Sequence, residues 1–274
     1  MPELPEVETI VRELKPQIIG KKFWGVETRL PAVFLPSAQV VREHLRGLRV
    51  LDVTRRGKFL VLVLDKKMRL TIHLRMSGRL LWKNIPGREK YIRAHFSFTD
   101  GTSLFFSDVR KFGRIWLYPE KSYQKMTGIF RLGQEPLNPE FQLQDFLAIF
   151  SHKKGILKNT LLRQDILAGI GNIYADEICF QIRRHPSSRL ENMAKTDLGK
   201  LFAAIRNCLE EGISHSGASV SDFVGTKGTL GQHQLYLKVY GRKGDPCYVC
   251  KSPIKKSVVA GRGTFFCSFC QRKA

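Results

Sequence analysis

The chain has 274 residues, 43% of them hydrophobic, and sets 46 Lys and Arg against 24 Asp and Glu for a formal net charge of +22. That length is too great for one small core and suits two domains, and the charge favours a polyanionic partner, nucleic acid before membrane, because the basic residues are spread over strands and turns. No run of about 18 apolar residues occurs, which excludes a membrane-spanning helix, and the N-terminus lacks the basic and apolar regions of a signal peptide; a cytoplasmic protein is expected.

The chain opens "MPELPEVET". From Pro5 the apolar residues fall at Val7, Ile10, Val11, Leu14 and Ile18, a helical spacing. Proline in a first turn brings a preset φ and no N–H to leave unpaired, and acids there suit the positive end of the helix dipole. That helix does not require Met1-Pro2-Glu3. Removing Met1 turns Pro2 into a free secondary amine, and an α-amino pKa of about 8 leaves a useful fraction unprotonated at neutral pH. Beside the carboxylate of Glu3, it is a nucleophile with an acid/base partner.

Residues 22 to 118 read as short strands and turns: "RVLDVTR", "KFLVLVL", "RLTIHLRM", "YIRAHFSF", "SLFFSDV" and "RIWLYP". Such runs at short spacing predict an antiparallel sandwich or barrel. Within them Lys58 sits at a turn, where a solvated hairpin residue is the plain reading. "HLRMSGR" offers His73 and Met76, and "DVRKFGR" offers Arg110 and Phe112. Met76 or Phe112 taken singly suits a core; exposed together with Arg110 they form wedges that replace a base removed from a duplex.

"LGQEPLNPEF" at 132–141 reads as a linker. From Gln142 the period turns helical, with short helices in "QLQDFLAIFSH", "ILKNTLLRQ" and "IYADEICFQI", then a longer one with Thr196 as N-cap. Gly169 and Gly171 precede Asn172 at a helix start, where backbone N–H groups bind phosphate or the glycines simply make a tight helix-to-helix turn; Lys158 on the preceding helix either faces the same phosphate or is a solvated surface lysine. The glycine-rich "SHSGASVSDFVGTKGTLGQ" predicts a mobile loop, and "QLYLKVYGR" a strand. Cys247 and Cys250, then Cys267 and Cys270, form two CxxC pairs sixteen residues apart, the spacing of a structural Zn2+ site; disulfides are disfavoured in a reducing compartment. Cys179 and Cys208 lie in apolar helical patterns and read as packing residues. The hairpin turn Gly261-Arg262-Gly263 presents an arginine.

Taken together, "MPELPEVET", "RRGKF", "HLRMSG", "DVRKFG", "GNIYADE", "VYGRKGDPC" and "VAGRGTFFCSFCQ" cover essentially the whole chain, and the sequence resembles the bacterial formamidopyrimidine-DNA glycosylase family. The resemblance implies an α+β multidomain fold. An N-terminal antiparallel β-sandwich with a leading helix would span 1–131 and a linker 132–141. A helical helix-two-turn-helix domain with the lesion-recognition loop would span 142–235, and a zinc-finger β-hairpin 236–274. It implies a monomer that acts in base excision repair on double-stranded DNA containing oxidised bases or abasic sites. Such an enzyme is a bifunctional glycosylase and lyase for 8-oxoguanine and formamidopyrimidines, with one structural Zn2+ and no organic cofactor.

By the same resemblance Pro2 attacks C1′ and forms a Schiff base, and Glu3 is the general acid. Lys58 assists base loss and β-elimination, and Arg262 serves phosphate binding and δ-elimination. Met76, Arg110 and Phe112 fill the void. His73, Tyr91, Lys153, Lys158, Asn172 and Tyr240 contact DNA, and the loop Ser219, Val220, Ser221, Asp222 and Phe223 meets the everted base. The chain departs from the family pattern at Arg163, Tyr91 and the stretch 221–223. Two rivals stand beside this reading: an endonuclease VIII-like activity on oxidised pyrimidines, and a non-enzymatic zinc-ribbon DNA-binding protein in which Pro2 only leads into a helix.

Overall fold

The computed structural model describes residues 1–82 and 89–273. The chain divides into two units, Met1–Arg131 with His215–Gln232, and Leu132–Ser214 with His233–Ala274. In the first, the elements run α1 (Leu4–Ile18), β1 (Phe23–Thr28), β2 (Phe34–Leu35), α2 (Ala38–Leu45), β3 (Val50–Arg56), β4 (Phe59–Leu64), β5 (Met68–His73), β6 (Gly78–Leu81), β7 (Ile92–Phe98), β8 (Ser103–Asp108), β9 (Arg114–Pro119) and α3 (Glu120–Thr127). One sheet has the order β1-β7-β8-β6 and the other β2-β9-β5-β4-β3. Both are antiparallel except for the β2–β9 pair. Alternating apolar residues of both sheets and the Val7, Ile10, Val11, Leu14 and Ile18 face of α1 form one core. This is the sandwich with a leading helix that the sequence predicts.

Helix α2 falls inside the stretch read as strands and turns; Ser37 caps it by accepting the Val40 N–H. The glycine-rich segment 215–232, read with the helical domain, packs instead in the sandwich unit. Phe223 enters the core, and two α1 carboxylates hold the backbone: Glu6 accepts Ala218 N–H at 2.8 Å and Glu13 accepts Thr226 N–H at 2.6 Å. Gly217 has φ +77, and a Cβ there would lie 2.9 Å from Glu6 Cγ, so only glycine fits.

The second unit contains α4 (Leu143–Phe150), α5 (Leu157–Leu162), α6 (Asn172–Gln181), α7 (Lys195–Ser214), β10 (Lys255–Val259) and β11 (Arg262–Phe266). Helix α7 begins at Lys195, one residue before the expected cap. Rings of Phe141, Phe146 and Phe202 cluster between α4 and α7. At Gly212 a Cβ would lie 2.4 Å from the Tyr174 hydroxyl, so α6 and α7 meet across a glycine. The predicted linker 132–141 belongs to this unit: Gly133 and Gln134 donate to Gln164 and Ile166 carbonyls, and Phe141 is buried. The predicted strand at 234–242 does not form. Its backbone N–H groups turn onto one buried carboxylate, Glu177, which leaves no ladder to join.

Candidate nucleic-acid interface and active site

The N-terminus is held by its own acids. Glu3 precedes α1 as N-cap and forms a reciprocal capping box with Glu6, its N–H donating to Glu6 Oε2 at 2.7 Å. Pro2 and Glu3 are buried while Met1 is exposed, so cleavage after Met1 would free the secondary amine of a buried residue that directly precedes Glu3 in the chain. Through Glu6 the same helix start is bonded to Ala218, so the first turn and the 217–226 segment are one assembly. Within that segment Ser219 Oγ donates to Phe223 O and accepts Gly231 N–H, and Asp222 lies 3.8 Å from Arg79. Val220 and Ser221 are exposed at its tip. Phe223 is buried, so of the five loop residues expected to meet a base this one packs into the core.

Lys58 and Gly57 form the two-residue turn of the β3–β4 hairpin, where Arg56 pairs with Phe59; Gly57 takes φ +54. Lys58 is buried, which sets aside the solvated-hairpin reading. Phe59 pairs with His73 across β4 and β5, and the two rings meet edge to face at 4.5 Å. Burial, with the charges of Arg75 and Lys58, holds the His73 pKa down to about 3. The imidazole is therefore neutral at physiological pH. The Arg75 N–H donates to its Nδ1 at 3.0 Å, so Nε2 carries the proton and can donate to a phosphate oxygen.

Met76 and Phe112 are 39% and 50% exposed, and the Arg110 guanidinium lies 5.0 Å from the Phe112 ring. Core packing is thus excluded for both. Their loops, β5–β6 and β8–β9, are joined by Asp108. Its Oδ1 accepts the Ser77 hydroxyl at 2.6 Å and Arg110 N–H at 3.1 Å, and its Oδ2 accepts Gly113 N–H at 2.8 Å. Two loops distant in sequence are thereby fixed to one carboxylate, with all three wedge side chains outside.

In the second unit Lys158 corrects the sequence reading. It is 0% exposed: its ammonium lies 2.7 Å from Asp176 Oδ1 and donates to Thr264 Oγ1 at 2.8 Å and Gly263 O at 3.1 Å. A lysine enclosed by these acceptors ties the hairpin to the helices and does not reach a phosphate. Asn172, at the start of α6, donates to the same Gly263 carbonyl at 2.9 Å, and Asp176 Oδ2 accepts Phe265 N–H. Burial raises the Asp176 carboxyl above the ordinary carboxylate range, and the Lys158 ammonium opposes that rise. The β10–β11 turn is Ala260-Gly261, with φ +51 and +73, so Arg262 is the first residue of β11 rather than the middle of the tip; it is exposed. Glu177 accepts the N–H groups of Lys238, Val239 and Tyr240, which sets Tyr240 against Phe265 with centroids 5.1 Å apart. Lys153 stands in the turn after α4 and Tyr91 at the entry to β7, both partly exposed.

The thiols of Cys247, Cys250, Cys267 and Cys270 lie within 4.8 Å of one another, with sulfurs 3.9 Å and 3.4 Å apart in two of the pairs. A tetrahedral ion with metal–sulfur bonds of about 2.3 Å needs sulfurs about 3.8 Å apart, so the donor set fits zinc. Cys179 and Cys208 are buried packing residues, as expected.

Five organising acids escaped the sequence reading: Glu6, Glu13, Asp108, Asp176 and Glu177. The available signal was adjacent acids inside α6, a helix whose residues Ile173–Phe180 are all buried, in a chain this basic.

Comparison with known proteins places these elements. The model of the formamidopyrimidine-DNA glycosylase N-terminal domain matches residues 1–115, and that of the formamidopyrimidine-DNA glycosylase H2TH domain matches 132–224. A formamidopyrimidine-DNA glycosylase of Heliobacterium modesticaldum is 42% identical, covering 99% of this chain and 100% of the relative. The Lactococcus lactis enzyme in complex with DNA containing an abasic site superposes with a TM-score of 0.90 at 34% identity, covering 99% of this chain and 100% of that one. The same wild-type enzyme with DNA containing N7-benzyl-Fapy-dG gives 0.89 at 34% identity, covering 98% and 99%.

Proposed function

The chain belongs to the formamidopyrimidine-DNA glycosylase family, and we propose that it excises oxidised purines from duplex DNA in base excision repair and then cuts the strand. The observation that carries this reading is the wedge: Met76, Arg110 and Phe112 stand exposed on two loops fixed to Asp108, in the unit that also contains Pro2 and Glu3. A reaction at C1′ requires the nucleotide out of the stack at a cost of a few kcal/mol, and filling the hole offsets it. That the bound DNA in the Lactococcus lactis complexes carries an abasic site or a ring-opened purine supports the substrate class.

In the proposed chemistry the Pro2 nitrogen bonds to C1′ as the glycosidic bond breaks; the electron pair of that bond leaves with the base, and the base takes up the proton that the Pro2 nitrogen sheds. Glu3 gives a proton to the ring oxygen, the sugar opens, and an iminium links Pro2 to C1′. Loss of a C2′ proton then expels the 3′ phosphate, and a second elimination expels the 5′ phosphate. Lys58 and Arg262 meet the departing oxyanions. His73, through its Nε2–H, holds the backbone with Tyr91, Lys153, Asn172 and Tyr240, while Val220 and Ser221 at the loop tip face the base. The four cysteines hold Zn2+, which fixes the base of the Arg262 hairpin; the enzyme is a cytoplasmic monomer. Pro2→Gly and Glu3→Gln are expected to lose cleavage of an 8-oxoguanine duplex while still binding it. Cleavage at wild-type rate by both variants overturns the mechanism and leaves the DNA-binding rival.

A further inference from the structure

Helix α6 and strand β11 run side by side in one direction. Asn172 bonds Gly263, Asp176 bonds Phe265, and Arg184 bridges Arg272. The Asn172 and Arg262 end is the one assigned to DNA. About 15 Å along the helix, at 1.5 Å per residue, the opposite end opens into a second feature. There the end of α6, the start of α7 and the two cysteine turns enclose a cavity of ≈ 400 Å³. Arg183, Arg184, Lys200 and Arg272 line it. Among the described lining residues the one carboxylate, Asp197, is 2.7 Å from Arg184, which leaves three of their cations in excess. Val249 and Phe269, tips of the two CxxC turns, are 53% and 71% exposed at its wall.

The base-excision chemistry proposed above uses none of these residues. Arg183 also takes a left-handed backbone, φ +55, which costs a non-glycine residue about 1 kcal/mol. Glycine would be less strained there, yet the chain carries a guanidinium. The combination selects its occupant. A DNA phosphate rail satisfies cations but offers nothing to an exposed phenylalanine and valine, whereas an acidic peptide with one large apolar side chain satisfies both.

We propose that this face docks an acidic peptide segment of a partner protein, with carboxylates on Arg183, Lys200 and Arg272 and an aromatic or aliphatic side chain against Phe269 and Val249. A repair enzyme gripping DNA at one end of α6 would thereby be recruited through the other.

The test uses the full-length, zinc-loaded protein and a fluorescein-labelled Asp/Glu-rich peptide ending in phenylalanine, followed by anisotropy. Arg183→Glu combined with Lys200→Glu is expected to weaken binding about ten- to a hundred-fold. Phe269→Ser is expected to weaken the phenylalanine peptide and not its serine counterpart. Cleavage of lesion duplex by all variants stays at the wild-type rate, which also shows that they fold. The peptide remains bound when a lesion duplex is added. The proposal is overturned if the peptide does not bind, if the serine peptide binds equally well, or if duplex displaces the peptide and the charge-reversed variant loses duplex affinity in parallel. That last result makes the face part of the nucleic-acid surface.

Discussion

Two buried carboxylates, Asp108 in the sandwich unit and Asp176 in the helical unit, each hold a segment that presents an arginine, and they do it with different partners. Asp108 collects neutral donors: one hydroxyl and two backbone N–H groups. Asp176 faces a wholly enclosed lysine and takes one N–H. A carboxylate satisfied by neutral donors leaves Arg110 at the surface and needs no second buried charge. The ionic strut makes the Arg262 hairpin dependent on both of its ends, because either charge alone is left buried without its counterion.

Metal removal affects the hairpin side of this comparison most. Structural zinc contributes about 10 kcal/mol or more to folding of small zinc domains. Chelation with confirmed metal loss is therefore expected to abolish DNA binding and β10–β11 protection in hydrogen exchange; intact binding would show that the Lys158 strut holds the hairpin without metal. Next in size, Lys158→Met leaves Asp176 unpaired and is expected to cost about 3–5 kcal/mol, whereas Lys158→Met with Asp176→Leu recovers most of that. Urea denaturation read by zinc release distinguishes them, and equal losses would mean that the pair is not an ionic strut. On the neutral side, Asp108→Ala removes the acceptor of three donors and is expected to cost about 1–3 kcal/mol. Lesion-duplex affinity should fall with it, measured beside Arg110→Ala.

The last prediction concerns pH. His73 titrates near 3 in the fold, below its ordinary value of 6.5, so the unfolded chain binds the proton first as pH falls. Its contribution is complete above pH 6.5 and declines toward pH 3, by up to about 1.4 kcal/mol per pH unit. Thermal midpoints from pH 7 to 5 should therefore fall more steeply in the wild type than in His73→Gln; parallel profiles would remove His73 as the cause.

These tests also mark what the sequence could and could not disclose. Periodicity and spacing located α1, the sandwich strands β3–β5 and β7–β9, helices α4–α7 and the CxxC turns, because each signal lies within a few residues. The proline-and-acid start of α1 was legible for the same reason. Lys158 was misjudged because its hydroxyl partner, Thr264, lies 106 residues away, and residue type alone does not tell a phosphate-binding lysine from a buried strut. Segment 234–242 has strand-like residues, yet Glu177 captures its N–H groups from another element. The glycine-rich loop gave no sign of its contacts, because Glu6 and Glu13, which hold its backbone, lie in α1 and the buried Phe223 passed as loop composition.

The measurement that tests the central claim most directly is borohydride trapping on a duplex with one 8-oxoguanine opposite cytosine, beside an undamaged duplex and one with an oxidised pyrimidine. The protein should be shown by mass to lack Met1 and to hold zinc. The account requires a covalent adduct on the 8-oxoguanine duplex, mapped to Pro2. An adduct formed mainly on the pyrimidine would move the substrate class to the endonuclease VIII-like rival, and no adduct on any lesion would contradict the amine mechanism itself.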